Sequence, residues 1–188
     1  NDLQKVASAI NAIESDVLRI ALLGAFSDGK TSVIAAWLGK VMDDMNISMD
    51  ESSDRLSIYK PEGLPDQCEI VDTPGLFGDK EREVDGRLVM YEDLTRRYIS
   101  EAHLIFYVVD ATNPLKESHS DIVKWVLRDL NKLSSTIFVI NKMDEVTSLT
   151  DQALFDEQAA IKKANLKGKL QRAADLTAQE CEQLNIVC

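Results

Sequence analysis

Eight residues constrain this chain more than any others: Gly24-Ala25-Phe26-Ser27-Asp28-Gly29-Lys30-Thr31. They come after an apolar run, Ile20-Ala21-Leu22-Leu23, and open a helix-like run from Ser32 to Met42. The spacing is G-x-x-x-x-G-K-[ST] in a strand–loop–helix setting, the pattern of a phosphate-binding loop. Glycines let successive backbone N–H groups close around phosphate oxygens. The helix after the loop aims the positive end of its dipole at the same anion. Lys30 adds a point charge for the outer phosphates, and the Thr31 hydroxyl is placed to ligate Mg2+. Residues 24–31, with Ser32 at the head of the helix, are the expected phosphate contacts. Asp28 would weaken triphosphate binding if it pointed inward, and the expectation is that it faces solvent.

The rest of the chain supplies a setting for this loop. Leu3, Val6, Ile10, Ile13 and Val17 alternate spacings of three and four, predicting an amphipathic helix over residues 1–18. Its stripe suits either the domain itself or a partner helix. Arg19–Leu23 reads as a buried strand. Val33, Ile34, Trp37, Leu38 and Val41 form the inward stripe of the next helix, which Gly39 ends. Residues 43–54 read as an exposed acidic loop. Arg55–Lys60 alternates as a half-exposed strand, antiparallel to Cys68–Val71 across a turn rich in proline and glycine. Val84, Leu88, Tyr91, Leu94, Tyr98 and Ala102 recur at helical spacing, and Leu104–Val109 is a continuous apolar strand. Asn113-Pro114 is expected to cap a helix whose stripe is Leu115, Ile122, Val126, Leu130 and Leu133. Thr136–Ile140 is another strand. Residues 151–184 read as helix interrupted near Gly168, with a capping box at Thr177 and Glu180, and Asn185–Cys188 as the start of a last strand. Strands alternating with helices predict a mostly parallel sheet with helices on both faces. Ligands of such sheets sit at strand carboxyl ends, where Gly24, Asp72 and Asn141 all fall.

Two further motifs occupy those ends. Asp72-Thr73-Pro74-Gly75 closes a strand about forty residues after Lys30. A carboxylate there can hold Mg2+, and Gly75 lets a backbone N–H approach a terminal phosphate. Asn141-Lys142-Met143-Asp144 closes the later strand. Asp144 can accept two hydrogen bonds from the N1–H and exocyclic amine of guanine, and adenine offers no such pair. Lys142 can lay its aliphatic stem along the base plane.

Bulk properties exclude several other classes. The 21 basic and 32 acidic residues leave a net charge of −11, which repels a nucleic-acid backbone. Cys68, Cys181 and Cys188 are too scattered for a metal site, and their odd number suits free thiols in a reducing, cytoplasmic compartment. The longest apolar runs are strand-sized, and no signal peptide is visible. Lys162, Lys163, Lys167, Lys169 and Arg172 form one basic cluster, read as a solvated helix face, with contact to an acidic partner domain as the alternative.

With the three motifs in order, the chain resembles a GTPase domain of the dynamin-like class, with bacterial members nearest. Gly24, Phe26, Ser27, Gly29, Lys30, Thr31, Ile34, Ala36, Leu38 and Gly39 fit that family's loop and first helix, and Asp72–Leu76 and Asn141–Asp144 fit its later motifs. The resemblance implies an α/β, three-layer P-loop NTPase fold: a six-stranded, mostly parallel sheet with one antiparallel strand. It implies a GTPase domain over 19–188 that stops before the fifth guanine-binding motif. It also implies binding of GTP or GDP with Mg2+, and GTP hydrolysis. Lys30, Ser27, Ser53 and Gly75 would be the catalytic group, and Thr31, Asp72 and Ser53 the metal ligands. No threonine lies between Thr31 and Thr73, so Ser53, with Ser52 second, stands in for the family's switch threonine. Leu76 replaces the glutamine that orients water in Ras-like proteins. The family's arrangement instead uses switch backbone and a monovalent cation, K+ or Na+, held partly by Ser27; the alternative for Ser27 is a loop hydrogen bond. Homodimerisation across the nucleotide face, and membrane contact through regions outside this chain, complete the implied picture. A regulatory switch without a membrane role, or a nucleotide-binding module with negligible turnover, are the alternatives.

Overall fold

A computed structural model of the chain describes residues 17–25, 27–39, 57–59, 68–73 and 96–188. Phe26, Val41, the loop carrying Ser52 and Ser53, the segment holding Gly75 and Leu76, and the helix positions from Val84 to Leu94 lie outside the described residues. So does the predicted N-terminal helix up to residue 16.

The chain divides into two compact units, Asn1–Phe106 and Tyr107–Cys188, and the divide falls inside one strand. Unit one holds β1 (Leu18–Leu23), α1 (Lys30–Leu38), β2 (Ser57–Tyr59), β3 (Cys68–Asp72), a helical stretch at 96–101 and the start of β4 (Leu104–Asp110). Within this unit the strands lie in the order β2-β3-β1-β4. β1 and β3 run parallel, from Leu18 opposite Cys68 to Leu22 opposite Asp72. β2 runs antiparallel to β3, as its position before the turn predicts. Consecutive Ile20, Ala21, Leu22 and Leu23 are all buried, so both faces of β1 are covered, which is why the strand reads as an unbroken apolar run.

Ile20, Leu22, Cys68 and Ile70 of the two parallel strands pack with Ile34 and Ala35 of α1, and Leu38, Leu104 and Phe106 close over them. Trp37 does not join this stripe, contrary to the expectation; it is 50% exposed. Ile34, Ala35 and Leu38 define the inward arc, and at about 100° per residue Trp37 lies on its flank. There its ring tilts against Phe106, with centroids 5.7 Å apart. Gly39 ends α1 as read from sequence, at φ 69°, donating its N–H to the Ala36 carbonyl. At the amino end of β1, buried Glu101 accepts from Arg19 at 2.5 Å and from Arg97 at 2.9 Å.

Unit two holds the rest of β4, α2 (Ser120–Lys124), β5 (Thr136–Asn141), α3 (Gln152–Ala173), α4 (Ala178–Glu182) and β6 (Asn185–Val187). β6 runs parallel to β5. Tyr107 of β4 and Phe138 of β5 are fully buried, with ring centroids 5.3 Å apart, and Val123, Val126, Leu166 and Leu170 are buried in the same unit. The helix after β4 starts later than Asn113-Pro114 predicts. Leu115 takes φ 58° and Lys116 is extended, so helical geometry begins only at Glu117. α2 then widens into a π turn at Trp125–Asp129.

Gly168 does not interrupt α3, which runs unbroken for 22 residues. A mid-helix glycine costs only about 1 kcal/mol relative to alanine, and the buried Leu166 and Leu170 on either side outweigh that. The capping box at Thr177 and Glu180 forms as read, with both reciprocal bonds present. Glu180 also takes a two-pronged contact from Arg128, at 2.5 and 3.1 Å, while Arg128 reaches the Ala174 and Asp175 carbonyls. The basic cluster on α3 is partly engaged. Lys167 pairs with Glu182 at 2.6 Å, and Lys169 donates to the Pro114 carbonyl at 2.6 Å. No helix among the described residues is long and apolar enough to cross a membrane.

Candidate functional site

In unit one the loop leaves the carboxyl end of β1 and enters α1. Gly29 precedes the helix at φ 85°, a left-handed conformation that glycine adopts without strain. Gly29 itself offers no capping side chain and the first turn carries no acid, which suits the head of α1 to an anion. Ser27 also adopts a left-handed φ, 67°, and is exposed, as is Ser32. Lys30 is only 8% exposed, and its Nζ donates to the Gly24 carbonyl at 3.2 Å and the Ala25 carbonyl at 3.1 Å. Burial pulls its pKa below the ordinary lysine value, against the attraction of Asp72 and Asp28.

Asp28 departs from the expectation. It does not face solvent: it is 6% exposed, and its Oδ2 accepts the Ala25 N–H at 3.0 Å. The Asp28 N–H in turn donates to the Ala25 carbonyl at 3.4 Å. A short carboxylate can bond backbone three residues away, and this local closure draws Asp28 inward.

Thr31 and Asp72 meet, although 41 residues separate them: the Thr31 hydroxyl donates to Asp72 Oδ2 at 3.0 Å. β1–β3 pairing brings them together, since Leu22 lies opposite Asp72. Thr73 locks this register by donating its hydroxyl to the Leu22 carbonyl at 2.7 Å. Sequence reasoning treated Thr73 only as part of a motif; its place just past a strand end was the available signal. Asp72 Oδ1 is buried with no hydrogen-bond partner among the described residues. Burial pushes the Asp72 carboxyl above its ordinary pKa, opposed by Lys30 and the Thr31 hydroxyl. An unpaired buried carboxylate oxygen beside a hydroxyl is an oxygen-donor set suited to a hard divalent cation, so these residues fit Mg2+. Ser53 and Gly75 lie outside the described residues.

In unit two, β5 ends at Asn141, whose carbonyl accepts the Ala111 N–H at 2.9 Å. Lys142 turns the chain at φ 60°, and a 3-10 turn, Met143–Glu145, comes next. Met143 is buried and anchors the turn, and Asp144 is exposed. Lys142 Nζ donates to Asp110 Oδ2 at 2.9 Å. The other Asp110 oxygen accepts from the Thr112 N–H at 2.7 Å and hydroxyl at 2.6 Å. Burial pushes the Asp110 carboxyl up, but the bonds from Thr112 and Lys142 outweigh it and hold the group below its ordinary range. Asp110 thus tethers the lysine of the N-K-x-D motif. Sequence reasoning missed Asp110, although it closes a strand just as Asp72 does.

The sequence pattern of the dynamin family matches residues 40–143, more than half of the chain. The chain is 95% identical to a structure of LeoA, a bacterial dynamin GTPase from ETEC, with a TM-score of 0.75; the match covers 100% of this chain and 32% of that one. It is 31% identical over 146 residues to GTPase HflX of Gluconacetobacter diazotrophicus, covering 76% of this chain and 31% of the relative. Toc33 from Arabidopsis thaliana, in complex with Mg2+ and GMPPNP, shares the fold at 15% identity and a TM-score of 0.64, covering 98% of this chain and 75% of that one. The chain thus spans about a third of the length of LeoA and of HflX. With Thr31 and Asp72 in contact at the carboxyl ends of β1 and β3 and the family pattern matched over more than half of its length, the chain belongs to the dynamin family.

Proposed function

We infer that this chain binds GTP with Mg2+ and, as part of a longer protein, hydrolyses it to drive assembly and membrane remodelling. The carrying observation is the Thr31–Asp72 contact at 3.0 Å, with Asp72 Oδ1 left unpaired beside it among the described residues. Lys30, the loop N–H groups between Gly24 and Thr31 that the Ala25–Asp28 closure does not take up, and the head of α1 at Ser32 bind phosphates. Thr31 and Asp72 hold the metal, joined by Ser53. Asn141, Lys142 and Asp144 take the guanine. Mg2+ supplies charge neutralisation at the phosphates when bound. Ser53 and the Gly75 N–H respond to the terminal phosphate, and Ser27 supports a monovalent cation, K+ or Na+. A homodimer across the nucleotide face speeds turnover, and membrane contact comes from regions outside this chain.

Nucleotide titrations of the full-length protein with Mg2+ test the reading. Wild type binds GTP and GDP and discriminates against ATP. Lys30→Ala loses binding, and Asp144→Asn shifts preference from guanine toward xanthine, because an amide can donate where guanine needs an acceptor. Micromolar GTP binding by Lys30→Ala would sink the site. A regulatory GTPase without a membrane role is the second reading, as the 31% identity to GTPase HflX supports the GTPase activity alone. Turnover that rises with protein concentration and with liposomes supports the first; turnover indifferent to both supports the second.

A further inference from the structure

Asp28 occupies a position that the phosphate reading does not explain. A loop built to bind several negative charges carries a negative charge of its own, and that carboxylate is turned into the loop rather than away from it. Asp28 and Lys30 hold the same residue from two sides. The carboxylate takes the Ala25 N–H at 3.0 Å, and the ammonium donates to the Ala25 carbonyl at 3.1 Å. The two charges therefore lie within reach of one alanine, in surroundings that exclude most water. Charges so placed attract each other, and burial removes part of the screening that mutes such attraction on a surface.

We propose that Asp28 is a fixed counter-charge that weakens nucleotide binding, and that it weakens triphosphate more than diphosphate. The inference rests on the proposed GTP site and adds a determinant of its affinity. Lys30 already faces two carboxylates, Asp72 first and then Asp28, so an incoming phosphate gains less from it. The carboxylate also repels the phosphates directly, and repulsion grows with the charge carried by the ligand. The same contact braces the loop through Ala25, so the protein gains a preformed cradle and accepts looser binding. Such a site releases product readily and favours diphosphate over triphosphate relative to a loop without the acid.

Asp28→Asn separates brace from charge, because the amide oxygen can still accept the Ala25 N–H. The measurement is a fluorescence titration of the full-length protein with mant-GMPPNP and mant-GDP in Mg2+, alongside a melting curve. The expected result is roughly tenfold tighter mant-GMPPNP binding by Asp28→Asn, with a smaller gain for mant-GDP. If Asp28→Asn melts below the assay temperature, Asp28→Ser, which keeps a short acceptor, is expected to show the same ordering. Equal or weaker mant-GMPPNP binding by a folded variant overturns the inference while leaving the GTP site standing. Failure of wild type to bind either nucleotide overturns both.

Discussion

Thr31 Oγ1 donates to Asp72 Oδ2 at 3.0 Å, and the other oxygen of that carboxylate is buried without a partner among the described residues. An unsatisfied buried acceptor costs about 1–3 kcal/mol, so the protein gains when a cation takes it up. The expected consequence is a steep Mg2+ requirement that depends on both side chains. Thr31→Ala and Asp72→Asn each raise the Mg2+ concentration needed for half-maximal mant-GMPPNP binding by about tenfold, equivalent to ~1.4 kcal/mol. An unchanged Mg2+ midpoint in either variant would count against the metal assignment.

Asp110 positions Lys142 through a 2.9 Å contact in which both side chains are mostly buried. Asp110→Ala leaves that ammonium without its tether. Guanine-nucleotide affinity is expected to fall about fivefold, near 1 kcal/mol, while affinity for inorganic tripolyphosphate is unchanged. In a Lys142→Met background the Asp110→Ala loss should vanish, since the two residues act as one unit. An undiminished loss there would show that Asp110 does not act through Lys142.

Glu180 joins Arg128 to the capping box of α4, and its carboxyl is drawn down from 4.5 to about 2. The bond from Arg128 is the largest cause, with those from Thr177 next. A depressed pKa in the folded state means that the stabilisation is fully present above the ordinary value and is lost as pH falls through the folded one. Acid melting of wild type should therefore steepen between about pH 4.5 and 2. Glu180→Gln should show a shallower slope in that window, read by circular dichroism against pH; identical slopes would reject the linkage.

Gly168 sits inside α3, and a Cβ built on it would meet only Arg172 Nη1, at 3.6 Å. That is an ordinary contact, and the helix runs on through the position. Gly168→Ala is expected to stabilise the protein by about 0.5–1 kcal/mol, raising Tm by roughly 1–4 °C. A lower Tm would mean that the glycine serves a close approach by something outside the described residues.

Features set by a few neighbouring residues were legible in the sequence: the loop of residues 24–31, the stop at Gly39, the capping box at Thr177 and Glu180, and the apolar strands. They depend on short-range backbone geometry and on periodicity, which a linear reading preserves. Asp72 was also legible as a strand-end carboxylate, and Asp144 as a carboxylate in the turn after a strand, because a phosphate loop constrains the order and placement of the later motifs along the chain. Tertiary structure decided the rest. Trp37 fell on the flank of its helix once Ile34, Ala35 and Leu38 had taken the core side. Buried leucines on either side carried α3 through Gly168. Asp110 found Lys142 across 32 residues, and Thr73 found Leu22 across 51. Asp28 shows the boundary between the two. The sequence determined that an acid stands in the phosphate loop. Only the folded loop, by closing the carboxylate onto Ala25, decided that its charge faces inward, because a buried acceptor must find a donor and its own backbone supplied one.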